Sequence, residues 1–133
     1  MKFNALIPEL SVKDIKKSKW FYIEIIGFQL EYERTDDKFA FLSLNGAQIM
    51  IEEVNGFWNT GVLEYPFGRG INFQILTNDI QPIVERLIQN EFLLFREPTV
   101  NEYKSKHNLI KELEFLVQDP DGYLLRFSQE SSS

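Results

Sequence analysis

DPDGYLLRF, residues 119–127, opens on turn chemistry and runs into a strand. Proline is favoured at the second position of a tight turn, and glycine tolerates the positive φ that follows it. The strand then carries Leu124, Leu125 and Phe127 with a single cation among them, Arg126, four residues past Gly122. Turn formation does not call for that arginine. What it faces is the first question the chain poses.

Working outward, the same strand-and-helix pattern occurs twice. Asn4 to Val12 reads as a short strand, with Leu6, Pro8, Leu10 and Val12 on one side and Ile7, Glu9 and Ser11 on the other. Asp14 is placed to cap the helix of IKKSKWFYIEII, and Gly27 to end it. Strands FQLEYER, KFAFLSL and AQIMIEEV follow, the last two joined by an Asn45-Gly46 hairpin turn. Asn55 to Gly70, rich in Gly and Asn, breaks the pattern. It restarts with GINFQILTNDI, a cap at Asp79 and a helix over QPIVERLIQN. Strands FLLFREP, IKELEFLVQ and YLLRFSQ complete it, with Val100 to Asn108 expected as a loop. The two capping aspartates lie 79 − 14 = 65 residues apart.

The inferred order is βαβββ twice: a first module over residues 1–54, a connection over 55–70 and a second module over 71–133. This is an α+β fold with one helix covering one face of each sheet, which leaves the opposite faces to form a concave, partly open surface.

Composition narrows the function. A net charge of −6 disfavours nucleic-acid backbones, which need clustered Lys and Arg, and is permissive for a cationic ligand. No apolar run approaches the roughly 20 residues that span a bilayer. No signal-peptide pattern is read at the N-terminus, and with no cysteine a cytoplasmic location is expected. Twelve Phe, five Tyr and two Trp supply more rings than a small core needs, and the surplus can line an apolar pocket. The single histidine, His107, sits in the polar stretch NEYKSKHN without a nucleophile partner and is read as a loop residue. No nucleophile elbow, P-loop or dinucleotide fingerprint is present.

Three segments, SVKDIKKSKWFYIEIIGF, GINFQILTNDIQPIVERL and VQDPDGYLLRF, together resemble the vicinal oxygen chelate superfamily, the glyoxalase/bleomycin resistance/dioxygenase group. The resemblance spans nearly the whole chain and implies paired βαβββ modules around a concave site. The metalloenzymes of the group hold a divalent cation there with four residues, typically His, Glu, His and Glu. Carried over one at a time, those positions fall on Ile7, Glu52, Asn72 and Arg126. One of the four is a good ligand, and a guanidinium cannot shed its proton to become one. The expectation is a protein without metal, cofactor or catalytic residues, in which Arg126 pairs with Glu52.

Such a chain is similar to the metal-free bleomycin resistance proteins, whose resemblance implies a homodimer with ligand crevices between subunits. Pro8 stands where those proteins carry a hinge for exchange of the N-terminal strand. The segment EYERTDDKFAF implies Tyr32 and Phe39 at the crevice. Sequestration needs rings for stacking and acids for a cationic tail. Candidate rings are Tyr32, Phe39, Phe57, Trp58 and Tyr65, and candidate acids are Glu31, Asp36, Asp37 and Glu64 beside Glu52. Asn72 and Gln74 alternate with Ile71, Phe73 and Ile75 and so present two amides to the concave face, near Arg126. The expected function is binding of a small molecule, such as a bleomycin-type antibiotic. The alternative is a metal-dependent glyoxalase- or dioxygenase-like enzyme with a site built from Glu9, Glu52 and His107. A dimer serving only as a structural or partner-binding module is a third.

Overall fold

The computed structural model describes residues 1–130; Ser131 to Ser133, assigned above to the second module, lie outside it. Its first half runs β1 (Glu9–Val12), α1 (Ile15–Lys19), β2 (Gln29–Arg34), β3 (Phe39–Leu44) and β4 (Ala47–Glu53). Its second runs β5 (Asn72–Leu76), α2 (Gln81–Gln89), β6 (Arg96–Ser105), β7 (Asn108–Gln118) and β8 (Leu124–Glu130). The strands form two four-stranded sheets, ordered β1-β4-β3-β2 and β5-β8-β7-β6. The first strand of each half lies parallel to its last, and the other neighbours are antiparallel. The fold is α+β, with the same order in both halves.

Local chemistry accounts for most boundaries. The Asp14 carboxylate accepts from the backbone N–H of Lys16 and Lys17, satisfying donors that the first helical turn leaves free. Beyond Lys19 the helix widens into a π-helical stretch, Trp20–Ile26, that turns Phe21, Tyr22, Ile25 and Ile26 inward. Gly27 ends it at φ 107, a conformation that would strain any residue with a Cβ. Asn45 and Gly46 both adopt positive φ, as a two-residue hairpin requires.

Four sequence expectations are corrected. The first strand begins at Glu9 instead of Asn4, because residues before Pro8 cross the sheet as an arm: Asn4 N–H donates to Gln48 and its amide to the Gly46 carbonyl. Helix α2 is capped at Ile80, although the Asp79 carboxylate still accepts from Gln81 N–H. Of the expected strand FLLFREP only Arg96 to Pro98 belong to a strand, β6, and the residues before them are an irregular approach in which Phe92 and Leu94 pack on the core. Conversely, the expected loop Val100–Asn108 is most of strand β6, paired with β7 as a hairpin exposed along much of its length. Its outer part clears the core and is wet on both faces, so no apolar alternation marks it.

One apolar core joins the two halves. Leu10, Ala40, Leu42 and Ile51 from the first sheet meet Ile75, Phe115, Leu125 and Phe127 from the second, with Phe21, Tyr22 and Leu87 from the helices among them. Polar contacts close the seam. Tyr22 donates its phenol to Asp119 at 2.6 Å, and Tyr123 donates to the Ser11 carbonyl at 2.9 Å. Arg86 donates to the Ile25 and Ile26 carbonyls, covering the orphan end of the first helix. The DPDG turn is therefore part of the joint. Gly122 has φ 96 and lies so close to Pro66 that an added Cβ would sit 2.5 Å from it.

Candidate functional site

Each sheet turns one face to the shared core and the other away from it. On the first sheet, register aligns Tyr32, Phe41, Met50 and Glu9 in one cross-strand row and Arg34, Phe39, Glu52 and Ser11 in the next. Alternation explains the placement: Ala40 and Leu42 point to the core, so Phe39 and Phe41 point away. Tyr32 stacks on Phe41 at 5.2 Å with 14° between the rings and lies 5.9 Å from Phe39. Phe3, from the N-terminal arm, meets the edge of Phe41 at 5.4 Å. The result is an aromatic shelf on the strand β2–β4 surface.

Acids border this shelf. Burial and the neighbouring Glu52 carboxylate both push Glu9 above the usual Glu range, while Arg34 pulls it back. Glu52 accepts from the Asn55 amide at 3.0 Å and, with Asp36, Asp37 and Glu53, lines a hollow of about 340 Å³. Lys38 and the Ile15 N–H hold Glu53 below its ordinary value. Glu31 accepts from the Ser43 hydroxyl at the edge of the same face.

The second sheet's outer face is polar and interlocked. Arg126 donates to the Gln74 side-chain carbonyl at 3.1 Å, and its Nε lies 3.6 Å from Glu114 Oε2. That separation is an ion pair without a formed hydrogen bond. Glu114, only 1% exposed, also accepts from Asn101 at 3.0 Å and from the Tyr103 phenol. The Gln74 amide nitrogen donates to Glu112 at 2.8 Å and to Ser128 at 3.0 Å. A cavity of about 510 Å³ adjoins this network, lined by Leu76, Ile110, Glu112, Ser128 and Glu130 of the second sheet with Asn45 of the first hairpin.

The question posed by DPDGYLLRF is thereby answered, and the expected Glu52 pairing is corrected. Glu52 is on β4 of the first sheet and Arg126 on β8 of the second; the carboxylate that Arg126 meets is Glu114, on adjacent β7. Register also sorts the two amides: Gln74 lies opposite Arg126, whereas the exposed Asn72 lies opposite Leu124. The aromatic residues of the connection form a separate group. Phe57 and Trp58 meet edge to face at 4.6 Å and are 75% and 59% exposed; Tyr65 is also exposed, its carbonyl accepting from Arg69. Glu64 borders a hollow of the same connection. Pro8 is half-buried and its carbonyl accepts from Met50 N–H beside β1.

The match to known proteins covers almost the whole chain. The model of the Glyoxalase/Bleomycin resistance protein/Dioxygenase superfamily matches residues 4–127. The chain belongs to that superfamily. A superfamily member from Vibrio splendidus 12B01 is 34% identical over 94% of this chain and 97% of its own, with a TM-score of 0.40. A virulence protein from Salmonella typhimurium is 20% identical over 98% of this chain and all of its own, at TM-score 0.67. TioX from Micromonospora sp. ML1 is 14% identical over 97% of this chain and all of its own, at 0.73. The last two share the fold. No curated protein matches the chain.

The superfamily contains both enzymes and binding proteins, so the donor set has to be judged on its own chemistry. The four positions put forward by the resemblance are Ile7, Glu52, Asn72 and Arg126, and Arg126 is engaged with Gln74 and Glu114. A side chain of fixed positive charge opposes a divalent cation there. The alternative set is also dispersed: Glu9 and Glu52 share the first sheet's face, while His107 sits in the β6–β7 turn. Among the described residues no three His, Cys, Asp or Glu side chains form a metal-holding group. The residues present do not fit the metal. Among the same residues, no helix is long and apolar enough to cross a membrane.

Sequence reading missed Arg34, Phe41 and Glu114. Glu114 had a signal: in ELEFLVQ the alternation of Leu113, Phe115 and Val117 sets Glu112 and Glu114 on the face that Arg126 shares.

Proposed function

We propose that this protein binds a small molecule without transforming it, sequestering a planar cationic compound of the bleomycin type in a crevice completed by a second copy of the chain. The observation that carries this reading is the first sheet's outer face, where the exposed Tyr32 ring, backed by the buried Phe39 and Phe41, offers a stacking surface bordered by Glu9, Glu52, Asp36 and Asp37. Rings supply dispersion and a negative π-face, and the carboxylates supply the complementary charge. The second sheet's outer face is closed by its own hydrogen bonds among Gln74, Glu112 and Glu114, and Arg126 occupies the position a metal ligand would need.

Dimerisation enters because one chain leaves its rings open. Tyr32 is 36% exposed, and Phe57, Trp58 and Tyr65 all exceed half exposure. A drug-sized ligand needs most of its surface enclosed, and a partner's connection laid against the shelf would enclose it. Trp58 is the assigned stacking residue of that connection.

The test is a titration of chelator-treated protein with metal-free bleomycin, followed by calorimetry and tryptophan fluorescence, with light scattering for the assembly state. The expected result is a saturable dimer, one ligand per crevice, with affinity about tenfold weaker in Trp58→Ala, the loss of one well-placed ring contact. Absence of binding by the folded protein removes this ligand class. A Trp58→Ala protein that binds normally but is monomeric assigns the residue to assembly.

A further inference from the structure

The aromatic shelf already carries a cation. The Arg34 guanidinium lies over the Phe39 ring, 3.9 Å from its centroid, and its Nε donates to Asp37 at 3.2 Å. Arg34, Phe39 and Glu52 are consecutive cross-strand partners, so ring, guanidinium and carboxylate fall in one row on one face. Glu9 in the neighbouring row is near enough to Arg34 to be held down by its charge. A planar cation on a ring face, with one carboxylate fixing its edge and others beside it, is the geometry by which proteins hold a guanidinium or amidinium ligand.

Arg34 holds this position weakly. Its side chain is 51% exposed and its partner Asp37 61%, and their single contact spans three residues through the Thr35–Asp37 turn. Phe39, in contrast, is fixed in strand β3 and only 3% exposed with the guanidinium on it. Removing the arginine therefore uncovers a rigid ring face, leaves Asp37 without its partner and takes from Glu9 the cation beside it.

We propose that the Phe39 face is a subsite for a planar cation, guanidinium or amidinium, and that Arg34 is its displaceable internal occupant in the free protein. The proposal rests on the binding function given above and names the chemical group that this part of the crevice takes. A ligand cation replaces Arg34 on the ring, and Arg34 swings into solvent through its own unbranched chain. Competition from a tethered occupant lowers the apparent affinity for any ligand that uses the subsite.

The probe is benzamidine, a planar amidinium, with benzamide as its uncharged counterpart, titrated by calorimetry and by amide chemical shifts of Arg34, Phe39 and Glu52. Expected is tighter benzamidine binding by Arg34→Ala than by the unmodified protein, about tenfold from release of one cation–π competitor. No comparable gain is expected for benzamide, and the gain disappears in Arg34→Ala/Phe39→Leu. Arg34→Lys, which keeps charge but not the planar stack, is expected to fall between. Equal affinity in Arg34→Ala, weaker affinity, or an equal gain for benzamide overturns the proposal. Well-dispersed amide spectra show that each variant folds, and shifts confined to the named row report the subsite directly. Benzamidine binding that follows this pattern without any bleomycin binding keeps the subsite and removes the antibiotic; the reverse removes the subsite alone.

Discussion

Arg34 and Arg126 invite comparison because each lies on the outer face of its sheet, one in each half of the molecule. Arg34 rests on a ring, reaches one exposed carboxylate and is half exposed itself. Arg126 is held by Gln74 on one neighbouring strand and Glu114 on the other, with Glu114 removed from solvent and tied in turn to Asn101 and Tyr103. The same guanidinium is thus an occupant in one sheet and a structural tie in the other. The second sheet has spent its face on internal bonds, whereas the first leaves Tyr32 exposed and acids along its border. That difference, more than the shared βαβββ order, distinguishes the two halves.

The largest expected effect comes from breaking the second face. Glu114→Ala leaves Arg126 without its carboxylate and strips Asn101 and Tyr103 of their acceptor. Truncating one member of a buried ion pair costs about 3 to 5 kcal/mol. Urea unfolding should show a loss of this order, and Arg126→Ala a smaller one, since Glu114 keeps Asn101 and Tyr103 and Arg126 is partly exposed. A loss below about 1 kcal/mol for both, the range of exposed pairs, would make the two arginines equivalent and dissolve the comparison.

The next effect asks whether the two faces are fixed to one another. Asp119 joins the halves by accepting from Tyr22, Asp121 N–H and Tyr123 N–H, and burial raises it from the ordinary 3.8 to about 6. Its value in the folded chain lies above that in the unfolded one. Its contribution is therefore whole below the ordinary Asp value and lost as pH rises through about 6. Relative to Asp119→Asn, the unmodified protein should lose up to about 3 kcal/mol of stability across that interval. Parallel stability curves for the two proteins would show that the carboxyl is not desolvated at the seam.

The legible and the hidden parts of this molecule separate along the same line. The order of elements along the chain, the Asp14 cap, the Gly27 stop and the Asn45-Gly46 turn depend on neighbours within a few residues, so periodicity and turn chemistry reveal them. Tyr32 and Phe39 were put forward by the resemblance of EYERTDDKFAF, and the structure sets both on the outer face, opposite Ala40 and Leu42. The partner of Arg126 was not legible, since choosing Glu114 over Glu52 requires knowing which strand lies alongside β8. Likewise Asp119 reads as a turn residue, and only the approach of Tyr22 from 97 positions away makes it a joint. Long-range pairing, invisible to local pattern, is what the sequence withheld.

The smallest expected effect is the sharpest test of the two arginines. Arg34→Ala removes an exposed ion pair and one cation–π contact, each worth about 0.5 to 1 kcal/mol at a solvent-facing site. It also relieves nothing in the core, since Ala40 and Leu42 pack on the opposite side of the strand. Stability measured in urea should consequently fall by no more than about 2 kcal/mol, the two contacts together. The sign of the effect on Glu9 is fixed as well: with the nearby cation gone, burial and Glu52 act unopposed and its carboxyl titrates higher still, which NMR of the side-chain carbonyl reads directly. A residue that costs little to the fold yet controls the charge of the shelf is an occupant. A large loss of stability, or a Glu9 titration unmoved by the substitution, would make Arg34 a tie like Arg126.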